Sequence, residues 1–286
     1  MKQFISVERV SITIDNKLLA FLDGMVDGER VKSRSQAVSL LLNKAIESTR
    51  PRKAMILAGG GRHKTIAPGN NIPRSLLKVN GKTVIELLLS LLRKQGIEEA
   101  VILVDNGGDK IISKLKNGEE LGMRIQYVWD SQATGSAGAM MLAKQYFHEP
   151  FILAYSDVIY DDLNLNDLID FHRSHNSACT MVLASVDNPR GLGVARMTGA
   201  RIISFTEKPS TAKSHLVNAG LFMCEPAVLA VIKQIPSSFE KDVLPKIAAK
   251  EKLFGYVYSG AWFHVHSQQE ADQASKYFSK RNARKQ

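Results

Sequence analysis

Apolar and polar side chains alternate one for one along Arg9-Val10-Ser11-Ile12-Thr13-Ile14-Asp15. Period two places Val10, Ile12 and Ile14 on one side of an extended chain and Arg9, Ser11 and Thr13 on the other, which predicts a half-buried strand. Beyond it the period lengthens. Leu18, Leu19, Phe21, Leu22, Met25 and Val26 form a helical stripe that Asp15 or Asn16 can cap and Gly28 interrupts. Ser33 is a good N-cap for a second helix, with Ala37, Val38, Leu40, Leu41, Ala45 and Ile46 facing inward.

Residues 48–53 are polar and contain Pro51, so they read as a linker. The pattern then changes. Ala54-Met55-Ile56-Leu57 is a compact apolar strand that runs into Ala58-Gly59-Gly60-Gly61. Downstream, helices are predicted over 84–95, 109–117, 136–147 and 164–175, alternating with strands over 100–104, 124–128, 151–155 and 178–185. This rhythm implies an α/β fold, Rossmann-like and doubly wound, with a mostly parallel sheet and helices on both faces. Two domains are expected, over residues 1–49 and 54–280. Ligands of such a sheet gather at the carboxyl ends of its strands.

Composition narrows the picture. Of 286 residues, 44% are hydrophobic and 23% charged, as in soluble globular proteins. No apolar run reaches the ~18 residues a membrane span needs, and residues 1–11 lack the apolar core of a signal peptide, so a cytoplasmic protein without a membrane partner is expected. Cys179 and Cys224 do not form a metal-ligand spacing and read as two reduced, buried thiols. The formal net charge of +10 favours anionic partners such as nucleic acid or phosphorylated small molecules.

One strand and two helices in about 40 residues are too few to fold alone. A homodimer would pair two strands antiparallel, bury the apolar faces among four helices, and project Arg9, Ser11 and Thr13 twice. Such a ribbon fits the major groove of double-stranded DNA, where Arg pairs guanine and Ser or Thr meets donors or acceptors. The start of the second helix, Ser33-Arg34-Ser35, offers amides to a DNA phosphate. On Arg9–Ile14 and Ser33-Arg34-Ser35-Gln36-Ala37-Val38, residues 7–48 resemble the ribbon-helix-helix regulators. The resemblance implies a homodimer that reads bases with Arg9, Ser11 and Thr13, with higher-order association on DNA left open.

In the larger domain, a glycine-rich turn after a strand lets backbone amides approach phosphate oxygens. Gln132-Ala133-Thr134-Gly135-Ser136 opens a helix with small residues. Asp157 follows the strand Phe151–Tyr155, where a carboxylate can hold Mg²⁺. Glu207-Lys208-Pro209 and Asn218-Ala219-Gly220 also fall at strand positions, and Glu240-Lys241-Asp242-Val243-Leu244-Pro245 comes near the end. In that order, from Met55 to about Ala274, the motifs resemble the sugar-phosphate nucleotidyltransferases that make nucleotide sugars. The resemblance implies nucleotide contacts from Leu57, Ala58, Gly59, Gly60, Gln132 and Gly135. It implies a sugar-phosphate side formed by Glu207, Lys208, Asn218 and Gly220.

The catalytic pattern of that family is altered here. The resemblance assigns catalytic roles to Lys64, Arg74 and Asp157, but Lys64 stands where the family has arginine, and Arg74 where it has a lysine after proline. His264 takes the place of the second metal aspartate beside Asp157. Arg and Lys are not equivalent at a tight site, and Mg²⁺ prefers oxygen ligands, so a weakened Mg²⁺ site is expected. Zinc on His264 and His266 is not expected: the two imidazoles should diverge along the strand, and no third ligand is evident. These changes favour a DNA-binding transcriptional regulator whose larger domain senses a nucleotide or nucleotide sugar with impaired catalysis. The alternative is a working sugar-1-phosphate nucleotidyltransferase with an appended regulatory module. A third reading makes the N-terminal segment a dimerisation or antitoxin-like interaction module.

Overall fold

The computed structural model describes residues 8–48, 50–59, 72–105 and 107–283. The chain divides into two compact units, Met1–Arg50 and Pro51–Gln286.

In the first unit, α1 (Asn16–Met25) and α2 (Arg34–Ser48) form where the helical periods predict them. Asp15 caps α1 by accepting from the amides of Lys17 and Leu18 at 2.8 and 2.9 Å. The Ser33 hydroxyl accepts from the Gln36 amide at 3.2 Å at the start of α2. The predicted strand over 9–15 is corrected: residues 8–15 make no sheet pairing. Its backbone donors and acceptors have no neighbouring strand in the single chain, and an unpaired strand gains no ladder. Among the described residues of this unit only Leu22 and Ala37 are buried. Val10 and Phe21 remain 77% and 59% exposed.

The second unit is a three-layer α/β structure. In chain order its strands are β1 (Lys53–Leu57), β2 (Lys78–Val79), β3 (Lys82–Thr83), β4 (Glu99–Val104), β5 (Arg124–Trp129), β6 (Phe151–Tyr155), β7 (Val158–Tyr160), β8 (Cys179–Ser185), β9 (Gly193–Thr198), β10 (Arg201–Glu207), β11 (Leu216–Cys224), β12 (Leu253–Tyr258) and β13 (Trp262–His264). Nine of them form one sheet in the order β5-β4-β1-β6-β11-β8-β12-β10-β9. The expectation of a mostly parallel sheet is also corrected. Strands β5, β4, β1 and β6 run parallel, as do β8 and β12, but β11 lies antiparallel between β6 and β8, and β9 and β10 add an antiparallel edge. The sheet is mixed because the chain passes from β8 to β11 through β9 and β10 with no helix between, rather than by a helical crossover.

Alternation along β1 divides the core. Ala54 and Ile56 pack with Leu88 and Leu92 of the helix Val84–Lys94 on one face. Met55 and Leu57 pack with Ala137 and Met140 of the helix Gly135–Leu142 on the other. Each fully buried large aliphatic side chain contributes about 1.5–3 kcal/mol. The predicted helix over 136–147 is shorter than its pattern, ending at Leu142 with a separate turn over Lys144–Tyr146. Cys179 and Cys224 face each other on β8 and β11, buried and unbridged, with sulfurs 3.8 Å apart. No helix among the described residues is long and apolar enough to cross a membrane.

Candidate active site

A cavity of about 730 Å³ opens beyond the carboxyl ends of the parallel strands. Leu57, Ala58 and Gly59 bring the end of β1 to it, Val104 and Asp105 the end of β4, and Tyr155, Ser156 and Asp157 the end of β6. The Ala58 amide is held by the Leu103 carbonyl at 2.9 Å, and the Ser156 amide by the Leu57 carbonyl at 3.1 Å. The first turn after β1 is thus fixed from both neighbouring strands.

Asp130 shapes the next segment. Its carboxylate accepts from the Thr134 amide at 2.8 Å and the Thr134 hydroxyl at 2.9 Å. Gly135 then turns into its helix at φ +80°, where an added Cβ would lie 2.4 Å from the Ser237 carbonyl oxygen. That carbonyl accepts from the Ala137 amide at 3.0 Å. Only glycine permits this close crossing.

The opposite wall is a polar network. Glu240 accepts from the hydroxyls of Tyr155, Ser136 and Ser238 at 2.5, 2.8 and 2.7 Å. Burial first, and the Glu240 carboxylate second, push the Tyr155 hydroxyl well above its usual range, so it remains a donor. Asn218 donates to the Tyr155 oxygen at 3.3 Å and accepts from the Gly220 amide at 2.9 Å. Gly220 itself adopts φ +82°, and a Cβ there would meet Tyr155 and Val158 at 2.9 Å. Gly220 does not line the cavity; its amide holds the Asn218 side chain that does. Behind this strand, Tyr160 and Trp262 both donate to the Ala219 carbonyl, at 2.5 and 2.8 Å. Glu207 and Lys208 line the same wall at the end of β10, with Lys208 held at φ +49°. A lysine in the left-handed region is strained, and such strain clusters at working sites.

Between the two walls lie Arg74, Asp157, His264 and His266. Asp157 leads directly into β7, which pairs with β13 so that His264 faces Val158 across the ladder. The Val265 amide donates to the Asp157 carbonyl at 2.8 Å. Ser267 and Glu270 then fix the turn: Glu270 accepts from the amides of His266 and Ser267 at 2.6 and 2.9 Å, opening the helix Gln268–Ala283. The outcome is a triad. His264 Nε2 and His266 Nε2 are 3.5 and 3.8 Å from Asp157 Oδ2 and 2.7 Å from each other. The expected divergence of the imidazoles is wrong, because positions i and i+2 of an extended segment share a face. The third donor missing from the sequence reading is Asp157 itself.

Burial alone would raise the Asp157 carboxyl, but His264, His266 and Arg74 outweigh it and hold it below the usual aspartate value. Burial, His264 and Arg74 push the His266 imidazole down to about 4 against the pull of Asp157. Arg74 Nε is buried with no hydrogen-bond partner among the described residues, and His264 Nδ1 likewise. The Arg74 side chain lines the cavity close enough to Asp157 to lower its carboxyl, and a guanidinium at such a wall can pair an anionic ligand. One carboxylate and two imidazoles can hold a divalent cation, but this donor set does not fit Mg²⁺, which takes oxygen ligands in an octahedron.

Of the residues singled out in the sequence, Leu57, Ala58, Gly59, Arg74, Gly135, Asp157, Glu207, Lys208, Asn218 and His264 line this one cavity. Gln132 is exposed and does not line it. Gly60 and Lys64 lie outside the described residues. Sequence reading missed Tyr155 and Glu240 as site residues, and it weighed His266 only as a zinc ligand and set it aside. Glu240 was visible only as part of a motif, and the Ser267-x-x-Glu270 capping pattern was the one signal that could have placed His266 at a fixed turn.

A crevice beyond the strand ends, with glycine on one wall and a carboxylate-amide network on the other, defines a class of α/β proteins that take ligands at the edge of the sheet. Residues 53–275 match the nucleotidyl transferase family, and the chain belongs to that family. It is 31% identical over 219 residues to mannose-1-phosphate guanyltransferase beta-B of Xenopus laevis and 30% over 220 residues to mannose-1-phosphate guanylyltransferase 1 of Arabidopsis thaliana. Each alignment covers 74% of this chain, and the chain spans 61% of the length of either relative. In fold it is similar to a UDP-glucose pyrophosphorylase solved with UDP-glucose, with a TM-score of 0.68 at 18% identity over 81% of this chain and 100% of the other.

These relatives overturn the reading of the chain as a DNA-binding transcriptional regulator with a sensing domain, since they are named as enzymes. The ribbon bearing Arg9, Ser11 and Thr13 does not form in the single chain. Arg34 is committed within its own unit, bidentate to Asp23 at 2.5 and 2.8 Å. Ser33 caps its helix, and Ser35 is a solvent-exposed residue of the first turn. Replacing an aspartate by His264 also removes less than it seemed to, because His266 joins the site.

Proposed function

We propose that the larger unit is a sugar-1-phosphate nucleotidyltransferase, forming a nucleotide sugar and pyrophosphate from a nucleoside triphosphate and a sugar 1-phosphate. The observation that supports this most is that Gly59, Gly135, Arg74, Asp157, Glu207, Lys208 and Asn218 all line one cavity. A phosphate oxygen of the sugar phosphate attacks the α-phosphorus, and the bond to pyrophosphate breaks. This chemistry asks the protein for alignment and for neutralisation of charge.

The residues divide that work. The backbone of Ala58 and Gly59 approaches the triphosphate. The Arg74 guanidinium neutralises oxygens at the reacting phosphorus. Asn218, aimed by Gly220 and Tyr155, and Glu207 meet sugar hydroxyls, and the Lys208 ammonium meets the sugar phosphate. Mannose 1-phosphate and GTP are the first pair to try, because the curated relatives are named for that transfer. The test is pyrophosphate release from purified full chain with each nucleoside triphosphate, a panel of sugar 1-phosphates and a panel of divalent cations. Steady turnover with one pair is the expected result. No turnover in any combination, with the chain folded by circular dichroism, would overturn the proposal.

A second reading concerns the first unit alone. Val10, Ile12, Leu18 and Phe21 are all exposed there, and among the residues whose burial is described only Leu22 and Ala37 are buried. We infer that this unit covers its apolar residues against a second copy of the chain, making a homodimer.

A further inference from the structure

The triad of Asp157, His264 and His266 does not suit the magnesium that the family pattern implies, and that mismatch has its own meaning. We infer that Asp157 Oδ2, His264 Nε2 and His266 Nε2 form a three-ligand site for a transition-metal dication of the zinc and cobalt class, with its remaining position open to the cavity.

Geometry comes first. A tetrahedral ion about 2.0–2.1 Å from each ligand leaves the ligand atoms roughly 3.3–3.4 Å apart. The three separations here, 2.7, 3.5 and 3.8 Å, bracket that value. Small rotations of the two rings, which widen the 2.7 Å contact, complete the set. All three side chains line the same cavity, so an ion bound there has an uncovered side toward it.

Donor chemistry comes second. Imidazole favours zinc, cobalt and nickel, whereas magnesium retains water and carboxylate oxygens. One carboxylate with two imidazoles is a composition found where zinc keeps an open position for a further ligand. The backbone is built for this convergence. The β7–β13 ladder, the Val265 to Asp157 hydrogen bond and the Glu270 clamp on residues 266 and 267 fix all three donors from separate elements. The open position faces the same space as Arg74, so the expected fourth ligand is water or a phosphate oxygen.

The test separates metal binding from turnover. Full chain is stripped with chelator and titrated with Co²⁺, reading visible d–d bands and metal content by elemental analysis. One equivalent of Co²⁺ with the intense bands of four-coordinate geometry is expected, and a hundredfold excess of Mg²⁺ should leave them in place. His266→Ala should weaken Co²⁺ binding at least about tenfold. His264→Asp should make Mg²⁺ an effective competitor. Should His266→Ala fail to fold, His264→Asp and the wild-type competition still decide. Absence of the bands, displacement by equimolar Mg²⁺, undiminished Co²⁺ affinity in His266→Ala, or bands in His264→Asp that resist Mg²⁺ as wild type does would overturn the inference. Turnover without Co²⁺ binding would sink the metal site and leave the transferase reading intact; binding without any turnover would do the reverse.

Discussion

Arg74 follows Pro73, whose fixed backbone angle holds the turn Arg74–Leu76 against the cavity, and its Nε is buried without a partner among the described residues. Its charge acts on Asp157 across the same cavity. Replacing Arg74 by Met should therefore lower kcat by about 10²–10³ with little loss of stability, as measured by steady-state pyrophosphate release and a parallel thermal melt. Lys208→Ala should act differently. It removes a charge from the wall proposed to hold the sugar phosphate, so KM for the sugar phosphate should rise roughly tenfold or more while kcat changes less. Individual side chains were unevenly legible in the sequence. Asp157 could be placed because it follows an apolar strand that must end there. Glu240 and Tyr155 could not, since their meeting depends on strand β6 and a distant turn folding onto one another. The His264 substitution reads as a loss in one dimension and as part of a triad in three.

Whole elements were more legible than their pairing. The periods of 84–95 and 109–117 mark helices that do form, because each buries an apolar stripe on the sheet. The helix Val84–Lys94 begins with a reciprocal cap in which Glu86 accepts from the Thr83 amide at 2.8 Å and meets Lys114 at 2.8 Å. Thr83→Ala should cost about 1 kcal/mol in a urea melt. Burial would raise the Glu86 carboxyl, but Lys114 and Thr83 outweigh it and hold it below the usual glutamate value. The folded state then binds fewer protons than the unfolded state. Glu86 thus stabilises the fold above the ordinary glutamate range and ceases to do so as pH falls through its depressed value. Melts taken across the acid limb should show this dependence in wild type and a shallower one in Glu86→Gln. Gly135→Ala should destabilise by more than about 1 kcal/mol, since φ +80° and the Ser237 carbonyl both exclude a side chain. Strand direction was not legible. An apolar run such as Leu216–Cys224 has the same composition whether its neighbours are parallel or antiparallel, and only the returning connections settle it.

At the scale of the whole molecule, the two units differ in how completely they cover their own apolar residues. The larger one closes two cores on either side of its sheet. The smaller leaves Ile12 and Phe21 each 59% exposed. The homodimer reading makes a direct forecast for the intact chain: sedimentation should give twice the monomer mass, and Phe21→Asp should shift it toward monomer without lowering the melting of the larger unit. A monomeric wild type at micromolar concentration would reject that association. The Ala219 carbonyl described above has another use. It accepts from Trp262, whose ring lies 5.8 Å from that of His264, while the neighbouring residue Asn218 lines the cavity at the wall proposed for the sugar. The chain has two tryptophans, and Trp129 can be replaced by Phe. In that background the indole of Trp262 becomes a fluorescence reporter built into the backbone between the two halves of the site, with emission that should respond to a cation at the histidines and to a sugar phosphate at Asn218 before any chemistry occurs.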